Sequence, residues 1–388
     1  MMLVLLYVLA IASLVVSTSA LYLALVPAVP ATWVYYHYLV RKPAVWVLLA
    51  AGVLIVGWAT VRDGAFPPAT LVPLLLLGVA IMLTYRMHQE VVFPAADYPP
   101  MADDPLLLPL RDDMQLALIE HAGVSKAYPL DYVIHHHIVN DRFGDATVAL
   151  TYCAMCRSII PFDVTDIGPL FVGSFKKANM IVADRRTKTF FQQATFNSII
   201  GPLHPHTLAM ISFQIFSWAD VKRLDPLPQV ANVTEKDLRP FELPIHGLWR
   251  RIVASQFTPG LRHTDRDHSM PARTRVVGIL EPAVHPRPVY VRDELLKNHV
   301  VKNEESGFYL VAVNGTVNGF QARVDGHDIV LTLDDDHLLQ DRASGTAWDL
   351  RGHRVRGELQ ANLTPIAISD EYWFSWRFFH PDTQVIDV

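Results

Sequence analysis

Cysteine is nearly absent from this chain: two residues in 388. No disulfide framework can therefore carry the fold. A zinc ribbon is excluded too, because it needs a second close pair of sulfur or histidine ligands and no second Cys-x-x-Cys exists. Also missing are Gly-x-Ser-x-Gly, a phosphate-binding loop, a dinucleotide fingerprint and His-Glu-x-x-His, which removes the common hydrolase, nucleotide and metalloprotease routes. Charge is sparse, at 18% of residues with a net value of -5, and no basic stripe is present, so nucleic acid is not an expected partner. The acidic run Asp334-Asp335-Asp336 lacks the spacing of a calcium loop and reads as a solvated turn.

What the chain has in excess is apolar residues, 51% of the total, and the excess sits at one end. Leu3 to Val26 is an uncharged run of membrane-spanning length, Ala44 to Val61 is a second and Thr70 to Tyr85 a third. Between the first two, Trp33-Val34-Tyr35-Tyr36-His37-Tyr38 precedes Arg41-Lys42, a combination that a membrane–water interface selects. Thr18-Ser19-Ala20 resembles a signal-peptide cleavage site, but the basic n-region is missing, so a retained anchor is expected. Arg41, Lys42 and Arg86 on one face against Arg62 on the other favour, by a margin of two charges, a cytoplasmic large domain.

Beyond the anchor the chain repeats landmarks in one order. Asp184-Arg185, Gly201-x-Leu203, Phe216-Ser217-Trp218 and Gln229-Val230 are echoed by Asp341-Arg342, Gly357-x-Leu359, Phe374-Ser375-Trp376 and Gln384-Val385, at offsets of about 155 to 158 residues. His137-Ile138-Val139-Asn140 can be laid on His299-Val300-Val301-Lys302. The expected organisation is a membrane anchor with about three transmembrane helices (residues 1–92) and a linker (93–113). A first repeat (114–230), a connecting segment (231–273) and a second repeat without cysteine (274–388) follow.

Thr147 to Tyr152, Ile159 to Phe162, Met180 to Val182, Phe308 to Val313 and Ile329 to Leu333 are rich in β-branched residues and bounded by turn formers, so they read as short strands. Ser217 to Leu224 and Tyr372 to Phe379 suit short helices with inward tryptophans. The fold class is therefore N-terminal transmembrane helices followed by a mainly β (β-rich α+β) domain built from two tandem repeats. The recurrent Asp-Arg pairs suit a brace for the strand-turn geometry better than a catalytic role.

Cys153 and Cys156 stand shortly after His135-His136-His137. Thiolate and imidazole are preferred ligands of copper and zinc, which makes Cys153, Cys156, His136 and His137 the candidate metal site. If the histidines lie in extended chain, His136 faces one way and His135 with His137 the other. Asn140 and Asp141 are candidates for supporting hydrogen bonds. The second reading is thiol–disulfide exchange, though a thioredoxin-like site is disfavoured because Ile159, Ile160 and Pro161 stand where its helix would run. The third is an accessory subunit docked to other membrane proteins, with the cysteines only bracing the fold. The lipid bilayer is the partner common to all three. No reaction is legible from these residues.

Ala127-Tyr128-Pro129-Leu130, His136, Ile138-Val139-Asn140-Asp141, Thr151-Tyr152-Cys153-x-x-Cys156, Phe162-Asp163, Asp184-Arg185-x-Thr187 and Gly201-Pro202-Leu203 together resemble the bacterial and archaeal family named domain of unknown function 3179. The likeness is strong over about 114–230, and Phe374 to Val385 resembles the close of that domain. This chain has His137 where the family usually has glutamate, Ala154 where it has proline, and Phe191 where it has tryptophan. The resemblance implies an exported or membrane-anchored protein. It points to an integral protein of the inner or plasma membrane with the large domain extracytoplasmic, against the charge count.

Overall fold

Residues 1–239, 247–281 and 283–388 are described by a computed structural model. Part of the expected connecting segment, 240–246, lies outside them. Helices α1 (Met2–Leu25), α2 (Ala31–Asp63) and α3 (Leu71–Arg86) open the chain. Each is long and apolar enough to cross a membrane, the third counted from Pro68. On α1 the buried residues Leu6, Ala10, Ser13, Ser17, Ala20 and Ala24 recur every three or four positions, which aligns them in one stripe. Small side chains there let the other helices approach. The Ser17 hydroxyl reaches the Ala80 carbonyl at 2.7 Å and accepts from Thr84 at 2.9 Å, polar pairing of the kind that joins helices in lipid. The opposite side carries exposed Val4, Val8, Ile11 and Val15.

Helix α2 starts earlier than its apolar run suggests, at Ala31, and takes the aromatic segment and Pro43 into the helix. At 1.5 Å per residue its 33 residues span about 50 Å, against about 30 Å of hydrocarbon. The surplus is used by protein contact: Val34, Tyr35 and Tyr38 pack on Phe171, Ile181 and Phe190 of the β domain. Two of the aromatics expected at the lipid interface therefore face protein. Gly64, with φ of 70°, closes the helix in the left-handed conformation that glycine adopts without strain.

Two polar clasps fix the helices to the domain. Arg41, almost wholly buried, bonds Glu90 at the head of α4 (Gln89–Val92), and the Tyr38 hydroxyl donates to the same carboxylate at 2.9 Å. The Lys176 ammonium donates to the carbonyls of Leu23 (2.8 Å) and Val26 (2.6 Å), placing a cation at the negative end of α1.

The domain beyond is β-rich and built of many small sheets. One has the order Gln214–Ser217, Gln115–His121, Val124–Pro129, Gln229–Val230, its pairs being antiparallel, antiparallel and parallel. Another has the order Ile368–Tyr372, Arg275–Ile279, Arg287–Val291, Thr383–Ile386, with the same three orientations. Each is followed along the chain by a three-stranded meander. The first is Ile138–Phe143, Ala146–Cys153 and Ser158–Asp163; the second is Val300–Asn303, Phe308–Val313 and Thr316–Gln321.

Smaller details match as well. A Cβ on Gly201 would collide with Thr189, and one on Gly357 with Thr346. The Thr189 hydroxyl accepts from the Leu203 amide at 3.1 Å, and the Thr346 hydroxyl from that of Leu359 at 3.0 Å. Asp184 accepts from the Thr187 and Thr189 amides, and Asp341 from those of Val330 and Ser344, so both carboxylates brace turns.

The Phe-Ser-Trp triplets behave differently. Trp218 opens a helix and donates its amide to Met114 at 2.7 Å, and the residue that does this in the other sheet is Trp373, donating to Thr274 at 2.8 Å. Trp376 lies one turn further on, against Gly278. Equal letters thus mark places one helical turn apart.

The two halves share their cores. Leu116, Leu118, Phe216 and Trp218 pack with Tyr309, Val311, Phe320 and Trp348 in one cluster. Contacts between the halves are reciprocal: Ile215 exchanges two bonds of 2.9 Å with the side chain of Asn318, while the Tyr372 amide donates to the Cys156 carbonyl at 2.9 Å. The segment expected as a linker is stitched down rather than leading away, with Ala96–Asp97 pairing in parallel with Val139 and Asn140.

Candidate functional site

Strand Ala146–Cys153 delivers Cys153 to the end of a hairpin, and strand Ser158–Asp163 leaves from the other side. The Arg157 amide closes the turn on the Cys153 carbonyl at 2.7 Å, with Arg157 itself at a φ of 64°. This brings the two Cα atoms to 5.6 Å, and the sulfurs are joined as a disulfide. Both cysteines are buried, Cys153 at 2% and Cys156 at 0% exposure. In the other meander the same place is taken by Asn314 (φ 46°) and Gly315 (φ 75°), a two-residue turn that needs both angles positive. Val313 stands where Cys153 does, and Cys156 has no counterpart.

A buried amide network surrounds Cys156. Asn179 Nδ2 donates to the Cys156 sulfur at 3.1 Å, and the Ser158 hydroxyl lies 3.3 Å from it. Asn179 also donates to Gln193 Oε1, while Gln192 Nε2 and the Ala194 amide donate to Asn179 Oδ1. Gln193 is tied in turn to Ser158 and Thr151. A donor aimed at sulfur favours the thiolate over the thiol. None of Asn179, Gln192 and Gln193 was identified from sequence. The available signal was an amide pair following Phe190-Phe191, since polar groups inside apolar strands are kept only when bonded.

The histidines do not alternate. Helix α5 (Leu130–His136) runs through His135 and His136, and His137 caps it with φ of 62°. Successive residues are therefore turned about 100° apart. His136 is half-buried and lies 3.0 Å from the Pro94 carbonyl through Nδ1, while His137 turns inward against the Phe93 ring at 4.3 Å. Burial pushes the His137 pKa down to about 4, so the ring is neutral at pH 7. Of the four expected ligands, Cys153 and His137 both line the cavity, Cys156 does not, and His136 is held at Pro94. Among the described residues no group of three or more His, Cys, Asp and Glu side chains is placed to hold a metal ion.

Asn140 and Asp141, expected near the site, serve the fold. Asn140 clasps Asp97 and both backbone atoms of Leu170, and Asp141 accepts from Lys126 (2.8 Å) and Tyr128 (2.6 Å).

The cavity measures about 560 Å³ and is largely apolar. Its lining includes Leu21 and Leu25 of α1 together with Cys153, Met155 and His137. Arg273, the last residue of the expected connecting segment, belongs to the lining too. Its guanidinium lies over the rings of Tyr372 and Phe374 at 5.1 and 5.5 Å and donates to the carbonyls of Met155 (3.2 Å) and Phe257 (2.9 Å). With the Tyr372 amide on the Cys156 carbonyl, Arg273 and Tyr372 hold the cysteine turn at two points.

No curated protein and no solved structure matches this chain. A family model described as protein of unknown function (DUF3179) matches residues 92–383, which takes in the stitched-down segment after the three apolar helices, the cysteine turn and the half without cysteine. The chain therefore belongs to the DUF3179 family.

Proposed function

We propose that this protein is a membrane-anchored thiol–disulfide protein in which Cys153 and Cys156 form one two-electron couple. The observation that carries the reading is the joined sulfur pair held under an amide donor and beside an apolar cavity. Neighbouring donors tune such a pair, and a disulfide persists in an oxidising compartment, which favours the large domain on the extracytoplasmic side of the inner or plasma membrane. The Asn-Gly turn of the second half supports the same reading. A hairpin of this kind closes without sulfur, so structural need does not explain the thiols.

The two halves are read as tandem repeats, 114–230 and 274–388, joined by 231–273 and carried on the anchor 1–92 through 93–113. Matching sheet orders and the paired Thr–Gly contacts support this duplication. The second repeat then keeps the scaffold and braces the first repeat's cysteine turn.

A second reading, favoured by the cavity that Cys153 and His137 both line, places a copper or zinc ion on the reduced pair with that imidazole. Equilibrating the detergent-solubilised protein in graded dithiothreitol buffers and counting alkylated cysteines by mass separates the two. Thiol exchange requires both cysteines to open and close together, as a two-electron transition lost in Cys153→Ser. Sulfurs that never re-pair while one equivalent of metal is bound would favour the second reading.

A further inference from the structure

Two residues of the cavity lining carry a side-chain oxygen that is buried and has no hydrogen-bond partner among the described residues: the Ser174 hydroxyl, on a residue 1% exposed, and Gln89 Oε1, on a residue 6% exposed. Buried polar groups are normally paired, so each calls for a ligand atom. One is able to donate and the other only to accept. The rest of the wall is mostly apolar, and 560 Å³ falls within the range of about 300–1,000 Å³ usual for small-molecule sites.

Access is equally informative. Both cysteines are almost wholly buried, and Cys153 is among the residues that line the cavity, to which α1, of membrane-crossing length, contributes as well. A reactant that meets this pair therefore arrives through an apolar chamber beside the bilayer, a route closed to a folded protein dithiol. It must carry two electrons, dissolve in lipid, and present oxygen atoms that accept a hydrogen bond in one redox state and donate one in the other.

We propose that the cavity binds a lipid-phase quinone and that the Cys153–Cys156 pair transfers two electrons to it; the inference rests on the thiol–disulfide reading above. In the forward step two S–H bonds break and one S–S bond forms. The two protons and two electrons released convert the two quinone carbonyls into hydroxyls, forming two O–H bonds. Ser174 donates to a carbonyl oxygen of the quinone, and Gln89 Oε1 accepts from a hydroxyl of the hydroquinone.

The test uses the full-length protein in detergent, reduced, freed of reductant under anaerobic conditions and mixed with decylubiquinone, whose fully substituted ring resists direct thiol addition. About one equivalent of hydroquinone forms as two thiols disappear, and none forms with Cys153→Ser or Cys156→Ser. Ser174→Ala and Gln89→Leu each raise the half-saturating quinone concentration about fivefold, the worth of one buried hydrogen bond, and leave the equilibrium in dithiothreitol buffers unchanged. Unsaturable oxidation that is equal in both variants would overturn the site. A pair that cycles in dithiothreitol buffers but ignores quinone leaves the thiol–disulfide reading standing and removes this inference. A pair that cycles in neither removes both.

Discussion

Asn179 donates its side-chain amide to the sulfur of Cys156 at 3.1 Å, and that bond joins the cysteine turn to the neighbouring sheet. A donor of this kind stabilises a reduced, negatively charged sulfur more than a disulfide sulfur. Asn179→Ala is expected to make the pair harder to reduce, by about tenfold in the equilibrium constant with dithiothreitol, the size of one hydrogen bond to a charged group. Thiol counting across a dithiothreitol series measures it, and an unchanged midpoint would remove Asn179 from the account.

The cysteine turn is dispensable for folding if the second meander is a fair guide. Replacing residues 154–157 by Asn-Gly together with Cys153→Val copies the Val313 to Thr316 turn into the first half. It forfeits the disulfide as well as the bonds from Tyr372 and Arg273, about 4 kcal/mol in all, so Tm falls by roughly 10 °C with a single cooperative transition. Loss of the folded state would show that the turn is structural.

Glu371 is fully buried, and burial lifts its pKa from 4.5 to about 7 against the pull of the hydrogen bond that the Ser369 hydroxyl donates at 3.0 Å. Between those two values the folded chain holds a proton that the unfolded chain releases. Stability is fully present below pH 4.5 and declines as pH rises to about 7, by about 3 kcal/mol in total. Glu371→Gln is expected to flatten that decline in thermal unfolding scans between pH 5 and pH 8; an unchanged slope would contradict the assignment.

Lys176 ties the domain to the end of α1 through the carbonyls of Leu23 and Val26. Lys176→Met keeps most of the side-chain volume and removes the bonds and the charge. A loss of about 2 kcal/mol follows from the helix-end charge and one charged hydrogen bond, and faster proteolysis at residues 26–30 reports the released junction.

Much of this architecture was legible locally. The three apolar helices and strands such as Phe308–Val313 follow from hydrophobic runs and β-branched residues, whose periods are properties of the local chain. The start of α2 was not, because aromatic residues suit a lipid interface and a protein contact equally, and only Phe171 and Phe190, distant in sequence, decide between them. Three consecutive histidines carry no period, so the helix end that sends His137 inward and His136 to Pro94 left no trace in their spacing. The Phe-Ser-Trp triplets matched in letters while Trp218 and Trp373 matched in backbone role. Arg273 reaches Met155 from 118 residues away, and no local pattern encodes such a contact.

The most direct test of the central claim is the state of the pair in the cell. Acid-quenching expressing cells, alkylating free thiols and weighing the intact protein gives its redox state, and metal analysis of protein isolated without chelator gives its occupancy. The account predicts a population with Cys153 and Cys156 joined, convertible as a unit to two thiols, and no metal that depends on them. Fully reduced protein carrying one equivalent of copper or zinc, lost in both Cys153→Ser and Cys156→Ser, would contradict it.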